Sequence, residues 1–209
     1  MRISASGRSP DARGVTPLPV PLRKEATMPH ARRLRLLPLL FILPLVAVPA
    51  MAGDDHHDGR HLRAKLIGFQ EVPAVSTVAR GDFKATIAED DQSIEYELTY
   101  SGLQGTVQQA HIHVAQRDVN GSIVIWLCGT AALPGPAGTP TCPQSGTVGP
   151  RTVTAADVVA GATASQQLAA GELDEVIRAI RAGVAYANVH TTLSTGGEIR
   201  GQIRTDDDD

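Results

Sequence analysis

The 209-residue chain carries a formal charge of −3, few aromatic residues (3%) and abundant glycine (20) and proline (14), a composition that suits short strands and turns rather than a helical bundle. The charge is unevenly divided: 8 of the 19 Lys/Arg but only 2 of the 22 Asp/Glu precede Gly53, so the remainder has a formal charge of −9. An acidic domain has no electrostatic case for binding nucleic acid or an anionic membrane surface, and both partner classes are excluded.

Residues 1–27 show no periodicity and read as a disordered or untranslated leader. Met28 opens a second segment in which Arg32, Arg33 and Arg35 precede the apolar run Leu36 to Ala50 and an Ala50-Met51-Ala52 site. A basic region, a short apolar core and an Ala-x-Ala site are the parts of a secretory signal peptide, assigned here to 28–52. The run is shorter than the ~20 residues of a membrane span, and Pro38, Pro44 and Pro49 interrupt it. No membrane span is therefore expected after cleavage, and the product is expected to be exported, periplasmic or extracellular. Arg35 stands where a twin-arginine signal requires an apolar residue, which favours the general route. The stub 53–60 contains His56 and His57. Cleavage after Gly53 would put His56 third from the new terminus, a copper-chelating position, but a solvated flexible terminus is the simpler reading.

From His61 to residue 205 the chain reads as one all-β domain. His61 to Phe69 and Ala79 to Ile87 are predicted strands, the second containing Arg80-Gly81-Asp82, an integrin-recognition tripeptide placed in a strand rather than a projecting loop. Ile94, Tyr96, Leu98 and Tyr100 alternate with Glu95, Glu97 and Thr99, the pattern of a half-buried strand. Val107 to Ala115 contains His111 and His113, Asn120-Gly121 is a hairpin signal, and Ile123 to Leu127 returns. Thr147 to Val153 is a further predicted strand, and Thr154 to Ala160 a short helical turn with Thr154 as N-cap. Glu172 to Ala182 places Leu173, Val176, Ile177 and Ile180 on one helical face, with Gly183 ending the helix. Val184 to Thr191 and Glu198 to Arg204 are predicted as paired strands, and 206–209 as an acidic tail. Cys128 and Cys142 are the only cysteines, and an even count in an exported chain implies a disulfide between them.

The stretches Leu66 to Pro73, Tyr100-Ser101-Gly102-Leu103, Ala110-His111-Ile112-His113, Asn120-Gly121, Leu127-Cys128, Ala182-Gly183, Tyr186 to Thr191 and Gly196 to Gln202 resemble, in order and spacing, the CHRD domain family first described in chordin. The likeness spans about residues 62–204. It departs at Ala74 and Ser122, where the family often has proline, and at Val184, where it often has asparagine. The resemblance implies an antiparallel immunoglobulin-like sandwich or barrel, with the helix inserted near the C-terminal strands. It also implies an exported binding or structural module whose partner is an extracellular protein or surface ligand. It assigns no catalytic residue.

Strand alternation puts His111 and His113 on one face of their strand, and Asn188 and His190 on one face of another; the two strands are expected to lie side by side or one strand apart, with all three rings on the same face. Two readings of the histidines stand. In one, His111, His113 and His190 ligate zinc or copper, with Asn188, Glu198 and Arg200 orienting them. In the other, they form a buried hydrogen-bonded network. The His-x-His pair resembles that on a strand of copper/zinc superoxide dismutase, without the glycine-rich loop that supplies further ligands there. No Ser-His-Asp, Cys-His or phosphate-cradling arrangement is visible.

Overall fold

The computed structural model describes residues 59–206, all within one compact unit, Ala52–Asp209. The expected leader and signal peptide, and most of the stub and acidic tail, lie outside the described residues. Among the described residues no helix is long and apolar enough to cross a membrane.

The described elements are β1 (His61–Ile67), β2 (Arg80–Ile87), β3 (Ser93–Ser101), β4 (Val107–Val114), β5 (Ser122–Cys128), β6 (Gly146–Thr154), α1 (Leu173–Arg181), β7 (Ala185–Thr191), β8 (Ile199–Gln202) and β9 (Arg204–Thr205). The strands pair in the order β5-β4-β7-β8-β1-β2-β3-β6, with β9 beside β1. All these pairings are antiparallel. The two ends of the order approach each other. Val159 N–H donates to the Val124 carbonyl at 3.0 Å, and the Tyr96 hydroxyl on β3 donates to the Leu127 carbonyl on β5 at 2.5 Å. The sheet thus curls into a nearly closed, barrel-like sandwich.

Local sequence explains the elements. On β3, Ile94, Tyr96, Leu98 and Tyr100 are all buried while Glu95 and Glu97 are exposed, because one face lines the core and the other meets water. On α1, Leu173, Val176, Ile177 and Ile180 are buried, Asp174 and Glu175 sit in the first turn, and Arg178 and Arg181 close the helix. Both charge placements favour the helix dipole. Gly183, at φ +67°, ends the helix with the left-handed turn that glycine makes most readily. The turn after β6 is a single 3-10 turn, Ala155–Asp157, closed by a Thr154–Asp157 capping box.

Two expectations need adjustment, and the strand placement of Arg80-Gly81-Asp82 holds. The β4–β5 hairpin forms, but its turn lies earlier than Asn120-Gly121: Val119 N–H donates to the Gln116 carbonyl, and Asp118 adopts φ +63°. Asn120 is instead recruited to bond the Val72 carbonyl at 3.0 Å. The last predicted strand divides at Ile203, whose N–H turns to the Ala185 carbonyl at 2.9 Å, leaving β9 to pair with β1. Arg80-Gly81-Asp82 lies in β2, which is paired on both sides, so the tripeptide is not displayed on a projecting loop.

Cys128 and Cys142 are joined by a disulfide. The bridge closes a loop whose Gly135, at φ +70°, packs so tightly on Trp126 that an added Cβ would lie 2.6 Å from the indole. Replacing both cysteines with alanine is expected to lower stability by about 3 kcal/mol, the chain-entropy value for a loop of this length. Urea denaturation beside the parent protein measures it. Ready labelling of both thiols in native, unreduced protein would contradict the bridge.

Candidate metal centre

The central strands β4, β7 and β8 are buried on both faces: every residue of β7 and β8 is buried. Register sorts their side chains into two layers. Ala110, Val189 and Ile199 align across the three strands, as do Ile112, Ala187 and Gly201; the apolar members of both rows enter the hydrophobic core. The alternate rows, His111–Asn188–Arg200 and His113–Tyr186–Gln202, face the other way, together with His190. Pleat alternation therefore delivers three imidazoles to one face of two adjacent strands.

That second face is sealed rather than solvated. His111 is 0% exposed, and His113 and His190 are each 6% exposed. Trp126 on β5 lies edge-on to His111, with ring centroids 4.3 Å apart. Tyr186 stacks nearly parallel on His113 at 4.7 Å. One ligand atom from each histidine lies within 4.8 Å of the others.

Hydrogen bonding defines the tautomers. His113 Nδ1 is 2.9 Å from the Gly121 carbonyl, and His190 Nδ1 is 2.9 Å from the Thr195 carbonyl. A carbonyl only accepts, so each Nδ1 carries a proton and each Nε2 presents a lone pair. His111 Nδ1 lies 3.2 Å from His190 Nε2 and donates to it, which leaves Nε2 of His111 as a lone pair as well. Nε2 of His111 and Nε2 of His113 are buried with no hydrogen-bond partner.

Electrostatics keep the rings neutral. Burial, then the neighbouring His190 and His113, push His111 down to about 2. Burial pushes His113 down to about 4 against the bond to Gly121. His190 is also lowered by burial, opposed by its bond to Thr195. Neutral imidazole is the form that binds a transition metal.

Of the residues expected to orient the histidines, Asn188 does contact them, with Oδ1 3.0 Å from His190 Nε2. The hydrogen bonds of Glu198 and Arg200 go elsewhere. The Glu198 carboxylate accepts from Gln104 N–H, Gly105 N–H, and the Thr191 and Thr77 hydroxyls. Burial alone would raise its pKa, but these bonds bring it below the ordinary value. Arg200 donates to the Val119 carbonyl at 3.0 Å and lies 3.4 Å over the Tyr186 ring.

Glu71 is the residue sequence reasoning passed over as part of this layer. It is 5% exposed, and burial raises it to about 7 despite the nearby Arg200 charge and a hydrogen bond from the Asn188 side chain. Its carboxyl rests on Gly197: a Cβ there would lie 2.2 Å from Glu71 Oε1. A Glu-Val-Pro stretch after a strand carries no period that would mark Glu71 as buried. Its only signal was membership of the family motif.

A family model for the CHRD domain matches residues 62–203. The chain belongs to the CHRD family. The matched span runs from β1 to the residue between β8 and β9, so the CHRD domain contains the whole histidine layer and the disulfide. Searches among curated proteins and among solved structures returned no match.

Two outcomes follow from this geometry. The unfolded chain binds more protons than the CHRD domain between the ordinary histidine value of 6.5 and the His113 value of about 4, so stability should fall as pH drops through that window. His111 and His190 act in the same direction. Glu71, raised from 4.5 to about 7, acts oppositely, its contribution being lost as pH rises toward 7. Three histidines outweigh one carboxyl, and the urea midpoint of metal-stripped protein should be lower at pH 5 than at pH 7. A midpoint that is equal or higher at pH 5 would contradict neutral buried rings. Separately, Gly197→Ala forces a side chain into φ +128° and into the Glu71 carboxyl. A loss of about 1–3 kcal/mol is expected, partly recovered by adding Glu71→Ala, both read from urea denaturation.

Proposed function

We propose that this CHRD domain is an exported binding module whose ligand is a transition-metal ion, zinc or copper, held by His111, His113 and His190. The observation that carries this reading is the pair of buried imidazole lone pairs, Nε2 of His111 and Nε2 of His113, that meet no donor. Leaving a buried polar atom unpaired costs roughly 1–3 kcal/mol. A hydrogen-bonded network retained for fold specificity would be expected to satisfy those atoms, whereas a metal ion uses them. Imidazole suits both zinc and copper, and the carbonyls of Gly121 and Thr195 supply the outer hydrogen bonds that fix ligating histidines in one tautomer. The reading is of binding, and no turnover is assigned.

Export is part of the same proposal. The disulfide fits an oxidising compartment, and the segment 28–52 has the parts of a cleaved signal peptide. An extracellular protein or surface ligand remains the kind of partner that family membership suggests, alongside the ion.

Elemental analysis of the chain expressed for export tests the metal directly. Zinc or copper is expected at one ion per chain, and His113→Ala is expected to lose it while keeping the wild-type circular dichroism. Wild-type protein that is metal-free when isolated, and that takes up neither ion when supplied, would falsify the proposal.

A further inference from the structure

Next to the three histidines, His190 Nε2, which accepts from His111 Nδ1–H, also faces an amide oxygen. His190 Nε2 is a lone pair, because Nδ1–H is given to Thr195, and it lies 3.0 Å from Asn188 Oδ1. The Asn188 side chain lies next to the Glu71 carboxyl, which is buried and seated against Gly197. The same Asn188 side chain also reaches His113. Two lone-pair atoms at 3.0 Å in a sealed layer repel, and a cation placed among them turns that repulsion into coordination.

The spacing agrees. Tetrahedral ligands about 2.0–2.1 Å from an ion stand about 3.3–3.4 Å from one another. His190 Nε2 is 3.0 Å from Asn188 Oδ1, so a small outward movement brings this pair to ligand spacing.

We propose that Asn188 Oδ1 is the fourth ligand of the metal ion. This inference rests on the three-histidine reading and deepens it. The centre becomes a closed site of three nitrogens and one oxygen, with no position left for water. Closed four-ligand shells are those of structural or storage sites, whereas catalytic sites keep one position open. An amide oxygen is a hard donor, which favours a divalent ion over copper(I).

Titration of metal-stripped protein with cobalt(II) alone, followed by visible absorption, tests the inference. Wild-type protein should bind one cobalt(II) and give bands that azide does not shift, because no open position exists. Asn188→Ala should bind on the order of 10–100-fold more weakly and become responsive to azide. Asn188→Asp, which keeps an oxygen in place, should restore tight binding and azide resistance. Asn188→Ala with wild-type affinity and an azide-insensitive spectrum overturns the role of Asn188 and leaves the three-histidine site intact. Failure of the wild-type protein to bind either cobalt(II) or zinc(II) overturns both. Where Asn188→Ala does not fold, the wild-type centre decides alone: bands that shift with azide there overturn the closed site.

Discussion

Burial of β4, β7 and β8 on both faces is the constraint on which the rest of this domain depends. A strand has only two faces, and here one enters an apolar core while the other carries His111, His113, Asn188, His190, Tyr186, Arg200 and Gln202. Burying polar groups costs free energy unless they are partnered. Much of the loop structure around these strands is explained by that requirement. The segment after β1 brings Glu71 over the layer, the β4–β5 turn offers the Gly121 carbonyl to His113, and the β7–β8 turn offers the Thr195 carbonyl to His190. The disulfide loop presses Gly135 on Trp126, which in turn covers His111.

The two buried charges at the edge of the layer organise its cover. Glu198 gathers the Gln104–Gly105 backbone, Thr191 and Thr77 around one carboxylate, tying two loops and the end of β7 to the start of β8. Arg200 draws the Val119 carbonyl onto the sheet and caps the Tyr186 ring that stacks on His113. Each has several partners, the condition under which a buried charge is tolerated. Both residues share the face of the histidines, yet their hydrogen bonds serve the scaffold. The residue that reaches toward the histidines is Asn188, with Glu71 beside it.

A layer so enclosed separates this centre from an open cleft. With the three rings at most 6% exposed, an ion there would be shielded from bulk solvent, and its exchange would require the covering loops to open. Slow exchange suits an ion held for structure or storage. In this domain the His-x-His strand, the Asn-x-His strand and the Glu-Val-Pro segment meet in one place.

Much of this was legible in the sequence. Period-two alternation on β3, the single apolar face and glycine stop of α1, and the cysteine pair are local features whose physics does not depend on what they pack against. Alternation also put His111 and His113 on one face, and Asn188 and His190 on one face, before any pairing was known. Tertiary structure decided what alternation cannot. Which strands are neighbours is a matter of topology, and the direct β4–β7 pairing brought the two histidine strands together. Whether the polar face meets water or a second layer depends on loops folding back from distant positions, as Glu71 does from the end of β1. The partners of Glu198 and Arg200 were settled the same way, because a side chain bonds whatever the fold brings within 3 Å or so, and sequence spacing reports only the strand it sits on.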